Sequence, residues 1–224
     1  MKIGNLKLGI GVPLSFPMVP SAFFDSFITM EKPDFVYLRT SSGPVDEMRN
    51  SIVQQAIRSG CSHLVMMDTD QVYDTKTIPR LLSHKLPVVG CLVYRRYPPF
   101  DPIMLKGSIG KYERITEWVP GELVEVDATG TGCLLFNMDV FRKMPEPWFS
   151  FRTVGGAMVG EDIGFCYDLR QAGYRIFVDT SIPAGHLTQM IVNEGTWKLY
   201  KNISEAELNS KHETEHNVLK TKKA

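Results

Sequence analysis

Residues 63–72, HLVMMDTDQV, run through four apolar positions, Leu64 to Met67, and then set Asp68 and Asp70 on either side of Thr69. In an extended chain residues i and i+2 face the same side, which would hold the two carboxylates roughly 6–7 Å apart. Like charges at that spacing repel by about 2–3 kcal/mol at an effective dielectric near 20. A divalent cation turns that repulsion into attraction, and carboxylate oxygens are hard ligands suited to Mg²⁺ or Mn²⁺. Mg²⁺ commonly takes one or two protein carboxylates and completes its shell with water and phosphate oxygens. The pair therefore reads as half of a metal–diphosphate site. An Asp-x-Asp tripeptide is common by chance, and acids also solvate loops and cap helices. Its place at the end of an apolar run is what singles this one out.

A second acidic pair, Glu161 and Asp162, opens the run EDIGFCYDLRQAG. Acids at a helix start are stabilised by the macrodipole, typically by about 0.3–1 kcal/mol, and that alone accounts for them. A carboxylate in a cleft can also take a proton from a hydroxyl. Glycines at 155, 156 and 160 suggest a mobile loop leading to this point. His186, in PAGHL, is by itself a structural hydrogen-bonder; beside a metal–diphosphate site its neutral imidazole is an acceptable third ligand.

These residues need elements to hold them. KLGIGVP, FVYLRT, HLVMM, PVVGCLVY and RIFVDT read as strands, and LVEVDATGTGCLLF as two short strands around Gly130-Thr131-Gly132. Val45, Met48, Ile52 and Ala56 mark a helix with Pro44 in its first turn and Gly60 at its exit. Asp74 to Leu82 reads as a helix capped by Asp74, provided Pro79 falls early in it. Ile163, Cys166 and Leu169 mark another helix, closed by Gly173, and residues 95–122 read as irregular. Strands alternating with helices predict an α/β domain with a mostly parallel central sheet flanked by helices. In such sheets ligands bind beyond the carboxyl ends of the strands, where Asp68 and Asp70 fall.

Of 224 residues 43% are hydrophobic, enough for one domain with a substantial core. Lys+Arg and Asp+Glu are 25 each, so no general electrostatic grip on nucleic acid or an anionic membrane is indicated. Cys61, Cys91, Cys133 and Cys166 are far apart with no CxxC, and read as buried free thiols in a reducing compartment. No apolar leader is visible and no stretch approaches 18 apolar residues, so a soluble cytoplasmic protein without a membrane anchor is expected. The domain is expected over residues 1–202, with a charged surface helix or tail over 203–224.

The ordered set MRN (48–50), MMDTD, TIPRLL, PVVGCLVYRRYPP, VDATGTGCLLF, PWF (147–149), GEDIGFCYDLRQAGYRIFVD and GHL resembles the nucleotide-sugar-dependent glycosyltransferases of the GT-A fold, family 2-like in type. The resemblance covers roughly residues 5–190 and implies a metal-dependent transfer of a sugar from a UDP- or GDP-linked donor to a hydroxyl acceptor. By that resemblance Asp70 ligates Mn²⁺ or Mg²⁺, Asp68 reaches the metal through water or holds the ribose, and His186 completes the site. Val12 and Pro13 border the nucleobase. Arg49 and Thr69 lie near the donor, and Gly130 and Gly132 let the backbone approach the transferred sugar. Asp162 is the base of an inverting reaction and Glu161 orients a sugar. Trp148 and Phe149 stack on an acceptor or are core aromatics; Arg95 and Arg96 meet phosphate or acceptor, or are surface charges. The acceptor is a glycan, a metabolite, a protein hydroxyl or a modified DNA base. Two other readings stand beside this one. A nucleotidyltransferase is disfavoured because GVPLSFPMVPS lacks a basic residue for a triphosphate. The other is a non-catalytic nucleotide-sugar-binding or glycan-binding module.

Overall fold

A computed structural model of the chain describes residues 6–203. Two units are distinguished, Met1–Leu187 and Thr188–Ala224. The first begins with β1 (Leu8–Pro13), followed by α1 (Ser21–Thr29), β2 (Phe35–Thr40) and α2 (Val45–Arg58). Pro20 and Pro44, with φ near −58°, start the two helices. In α1 the apolar residues Phe23, Phe24, Phe27 and Ile28 recur at helical spacing, but the stripe is only half covered: Phe23 is buried, while Phe24 and Ile28 are exposed.

β3 (His63–Met67) leads through a turn to β4 (Gln71–Val72) and α3 (Thr77–Ser83). The expected helix start at Asp74 is a turn instead: Asp74 Oδ1 accepts from the Lys76 amide and the Asp74 carbonyl from the Thr77 amide. Pro79 then falls in the first turn, where its missing N–H costs nothing. β5 (Val88–Val93) follows.

The stretch expected to be irregular holds β6 (Met104–Lys106) and β7 (Glu113–Arg114). Then come β8 (Leu123–Val126), β9 (Ala128–Thr129) and β10 (Cys133–Asn137). Three strands replace the two expected after residue 122 because the chain changes sheets at Asp127, whose amide donates to the Leu105 carbonyl. After α4 (Asp139–Lys143), β11 (Arg152–Val154) and β12 (Ala157–Val159) form a hairpin. Gly155 and Gly156, both at positive φ, make its two-residue turn, so the glycines read as a mobile loop are turn residues. α5 (Glu161–Gln171) and β13 (Ile176–His186) complete the unit. β13 runs well past the expected RIFVDT, with a register shift between Asp179 and Pro183, as a proline inside a ladder requires.

The main sheet has the order β2-β1-β3-β10-β5-β13. Beyond it, β8 pairs with the start of β13 and β4 with its end. β1, β2, β3, β5 and β13 run one way; β10, β8 and β4 run against them, so the sheet is mixed. Successive strand residues feed two apolar layers. Leu64, Met66, Leu134 and Phe136 pack with Ile52 of α2 and Phe165 of α5. Val65, Met67, Val89 and Leu135 pack with Phe23 of α1 and Ile78 of α3. Covering both faces explains why these strands are unbroken apolar runs rather than alternating ones. All four cysteines are buried and free.

In the second unit residues 194–203 are helical. Asn193 Oδ1 accepts from the Thr196 amide at 3.1 Å, capping that helix. The charged segment expected beyond 203 lies outside the described residues. Among those described, no helix is long and apolar enough to cross a membrane.

Candidate active site

The two aspartates do not sit on an extended strand. β3 stops at Met67 and the chain turns through Asp68, Thr69 and Asp70. The turn is fixed by its backbone: the Asp68 amide donates to the Gly132 carbonyl (2.9 Å), and Tyr73 Oη–H donates to the carbonyls of Asp68 (2.7 Å) and Gly132 (2.8 Å). The like charges then separate onto different cations rather than sharing one face.

Asp68 is held by Arg49 of α2, whose Nη2 lies 3.0 and 3.1 Å from its two oxygens. Arg49 Nε donates to Glu161 Oε1 at 3.0 Å. Arg49 is 3% exposed and Glu161 7%. Burial opposes the Arg49 charge, but Asp68 and Glu161 outweigh it and hold the guanidinium protonated. Arg49 thus clamps the end of β3 to the start of α5. Neighbouring Asn50 ties down the segment before β11, its Oδ1 accepting from the amides of Trp148 and Phe149, each at 3.0 Å.

Asp70 faces the other way. The short pairing of β4 with the end of β13 sets Gln71 opposite His186 and Val72 opposite Gly185. This brings His186 Nε2 to 3.2 Å from Asp70 Oδ2, while the Leu187 amide donates to the Asp70 carbonyl at 2.7 Å. His186 Nδ1 lies 2.7 Å from the Tyr94 carbonyl oxygen. A carbonyl only accepts, so Nδ1 carries a proton and Nε2 directs its remaining valence at the carboxylate. Two lone pairs at that distance call for a proton or a cation between them. Arg96 Nη1 is 3.1 Å from the same carboxylate oxygen. Burial works against the Asp70 charge, yet His186 and Arg96 keep its carboxyl below the ordinary range; the bond to Asp70 in turn raises His186.

Among the described residues no group of three or more His, Cys, Asp or Glu is arranged to hold a metal. Asp70 and His186 converge as a pair, and Asp68 is engaged by Arg49. An N,O pair with its remaining positions open to water and phosphate oxygens fits Mg²⁺ or Mn²⁺, so the residues present suit such an ion. Arg49 Nη1, Gln71 Oε1 and Thr131 Oγ1 are also buried with no hydrogen-bond partner in the protein.

Asp162, the second residue of α5, is partly buried. Its Oδ1 accepts from the Ile163 amide at 2.7 Å and packs over Gly160, where a Cβ would come within 2.9 Å. Its Oδ2 lies on the Gly130 side, 3.7 Å from where a Cβ would stand. Burial first, and the Glu161 charge second, push the Asp162 carboxyl up to about 6, against the pull of Arg49.

The other expected residues fall as follows. Val12 and Pro13 end β1 at the same rim, but both are buried and the Val12 side chain belongs to the core. Thr69 sits partly exposed in the turn. Gly132 accommodates the buried Gln71 side chain, which a Cβ there would strike. Trp148 does not stack on a ligand. It is 3% exposed, packs edge-on against Phe141 and donates from Nε1 to the Phe141 and Met144 carbonyls. Phe149 is likewise a core ring. The Arg95 side chain is exposed, and Arg96 is the one that reaches Asp70. Sequence reasoning missed Tyr73, Gln71 and the Tyr94 carbonyl as supports of the turn and the histidine. The only trace was the run QVY directly after the aspartates.

No family model and no curated protein sequence matches the chain. Solved structures do. The protein A197 from STIV superposes with a TM-score of 0.56 at 16% identity, over 84% of this chain and 87% of that one. GalNAc-T7, solved with UDP, GalNAc and Mn²⁺, superposes with a TM-score of 0.56 at 13% identity, over 83% of this chain and 44% of that one. TarS 1–349 from S. aureus gives 0.52 at 13% identity, over 82% and 60%. The chain thus spans less than two thirds of the latter two. At these identities the likeness is one of fold: a central mixed sheet flanked by helices, as in GT-A glycosyltransferase structures.

Proposed function

We propose that this protein is a metal-dependent glycosyltransferase that moves a sugar from a nucleoside-diphosphate sugar to an acceptor hydroxyl. The observation that carries the reading is Asp162. It is a carboxyl pushed up to about 6, linked through Glu161, Arg49 and Asp68 to the turn that presents Asp70 to His186. A base near that value is ionised at neutral pH yet basic enough to accept a proton during transfer.

The Ile163 amide holds Oδ1 and leaves Oδ2 to receive the acceptor proton. As the acceptor oxygen bonds to the anomeric carbon, the bond to the diphosphate breaks and its electron pair leaves with the phosphate. The proton ends on Asp162. Attack assisted from this side inverts the anomeric centre. Asp70 and His186 would hold Mn²⁺ or Mg²⁺, which supplies positive charge to the departing diphosphate. Arg49 holds the Asp68 and Glu161 side chains in place. GalNAc-T7, which shares the fold, was solved with UDP and Mn²⁺, and this supports a UDP-linked donor beside a GDP-linked one.

The test is release of UDP or GDP from UDP- and GDP-sugars with Mn²⁺, against a panel of hydroxyl acceptors. Nucleotide release should depend on the metal and fall at least 100-fold in Asp162→Asn, while calorimetry still shows nucleotide binding. Undiminished transfer by Asp162→Asn would remove the base. Full metal-dependent transfer by Asp70→Ala would remove the metal pair.

A further inference from the structure

Arg96 lies on the loop after β5, on an oxygen that already has a partner. Its Nη1 is 3.1 Å from Asp70 Oδ2, and His186 Nε2 is 3.2 Å from the same atom. The contact is loosely built. The Arg96 side chain is 48% exposed and lies 5.7 Å from the Tyr97 ring centroid. A half-exposed ion pair of this kind contributes little and opens readily. His186, by contrast, is pinned through Nδ1 to the Tyr94 carbonyl and cannot turn away without breaking a 2.7 Å hydrogen bond. A divalent ion held by Asp70 and His186 would compete with Arg96 for the Asp70 carboxylate. Two cations at one carboxylate would repel, and the half-exposed guanidinium would be the one to give way.

Resting on the glycosyltransferase reading above, we propose that Arg96 is a place-holding cation. It neutralises Asp70 until a divalent ion arrives, is displaced by it, and then meets the diphosphate that completes the ion's shell. A guanidinium suits both tasks, since its planar fork matches carboxylate and phosphate oxygens alike. Arg96 therefore weakens binding of the bare ion and strengthens binding of the nucleotide.

The two tasks have opposite signs, which makes them testable without turnover. Mn²⁺ binding is measured at pH 7.5 by electron paramagnetic resonance of free Mn²⁺. UDP and GDP binding to Mn²⁺-saturated protein is measured by calorimetry. In Arg96→Ala, Mn²⁺ alone should bind about three-fold tighter, and the better-binding nucleotide about ten-fold more weakly. Arg96→Lys, which keeps the charge, should leave Mn²⁺ affinity near wild type. Lys143→Ala, which removes a positive charge on α4, should move neither. If Arg96→Ala fails to fold, Arg96→Gln carries the same test. Unchanged or weaker Mn²⁺ binding in the charge-removing variant overturns the place-holder, and unchanged nucleotide binding overturns the hand-over. Wild-type protein that takes up no Mn²⁺ with or without nucleotide overturns the metal pair itself.

Discussion

Arg49 Nε and Glu161 Oε1 meet at 3.0 Å although 112 positions separate them in the chain. The contact, with the Arg49 bonds to Asp68, joins α2, the end of β3 and the start of α5 at one buried guanidinium. Removing one partner from such a cluster leaves uncompensated charge in the interior. Arg49→Ala should destabilise the protein by about 3–5 kcal/mol in chemical denaturation. Arg49→Lys should recover only part of this, because one ammonium cannot reproduce the fork that reaches both acids. A loss below about 1 kcal/mol would show that the clamp does not hold the site together.

Asp162 sets the sign of a stability change with pH. Its folded carboxyl sits at about 6, above the ordinary 3.8, because burial and Glu161 disfavour its charge. The folded chain therefore binds this proton more tightly than the unfolded chain. Its contribution is fully present below pH 3.8 and is lost as pH rises through about 6. Asp162→Asn should be more stable than wild type above pH 6, by about 1–3 kcal/mol, with the gap closing below pH 4. Thermal melts from pH 4 to 8 check this, and parallel curves for the two proteins would contradict it.

The same carboxyl should govern rate. With Asp162 as base, kcat/KM should rise about ten-fold per pH unit on the acid side and level off above about 6. Asp162→Glu displaces the carboxylate from the Ile163 amide and should lower kcat more than it raises KM. A profile whose acid limb persists unchanged in Asp162→Asn would assign the limb to another group.

How much of this was written in the residues can be judged element by element. β1, β2, β3, β5, α2 and α5 lie where apolar period and stop signals put them, because each buries a face that its own local pattern encodes. α1 went unread although Phe23, Phe24, Phe27 and Ile28 recur at helical spacing, because the segment is short and opens among prolines at 13, 17 and 20. The reversal of β10 was invisible too: strand direction depends on partners, not on the strand's own residues. At the site, residue types were legible and pairings were not. Asp68, Asp70, Asp162 and His186 stood out by chemistry and position. That Asp68 would turn to Arg49, and that Arg96 rather than Arg95 would face Asp70, are tertiary facts set by helix placement and the exit angle of β5. Trp148 was ambiguous for a plain reason: a large ring suits a core as well as a ligand.

Gly132 offers a further test. A methyl group there would run into the Gln71 side chain, which is buried between β10 and the turn. Gly132→Ala should cost about 1–3 kcal/mol by overpacking and push the 68–70 turn outward, weakening Mn²⁺ binding more than Gly130→Ala does. Gly130 has only ordinary van der Waals neighbours, the nearest 3.7 Å away. Equal effects of the two substitutions would refute the packing argument.

The antiparallel entry of β10 has a consequence for how such a protein can diversify. β5 departs at the rim where Asp68 emerges, and β10, reversed, sets out from that same rim, with Cys133 beside Met67. The whole excursion from Tyr94 to Gly132 is therefore anchored at both ends on the rim that carries Asp68. Residues 95–101, which lie before β6 and outside the β8–β13 ladder, can be rewritten while the ladders of β3, β5, β10 and β13 keep their register, so this rim can change its side chains without disturbing the sheet.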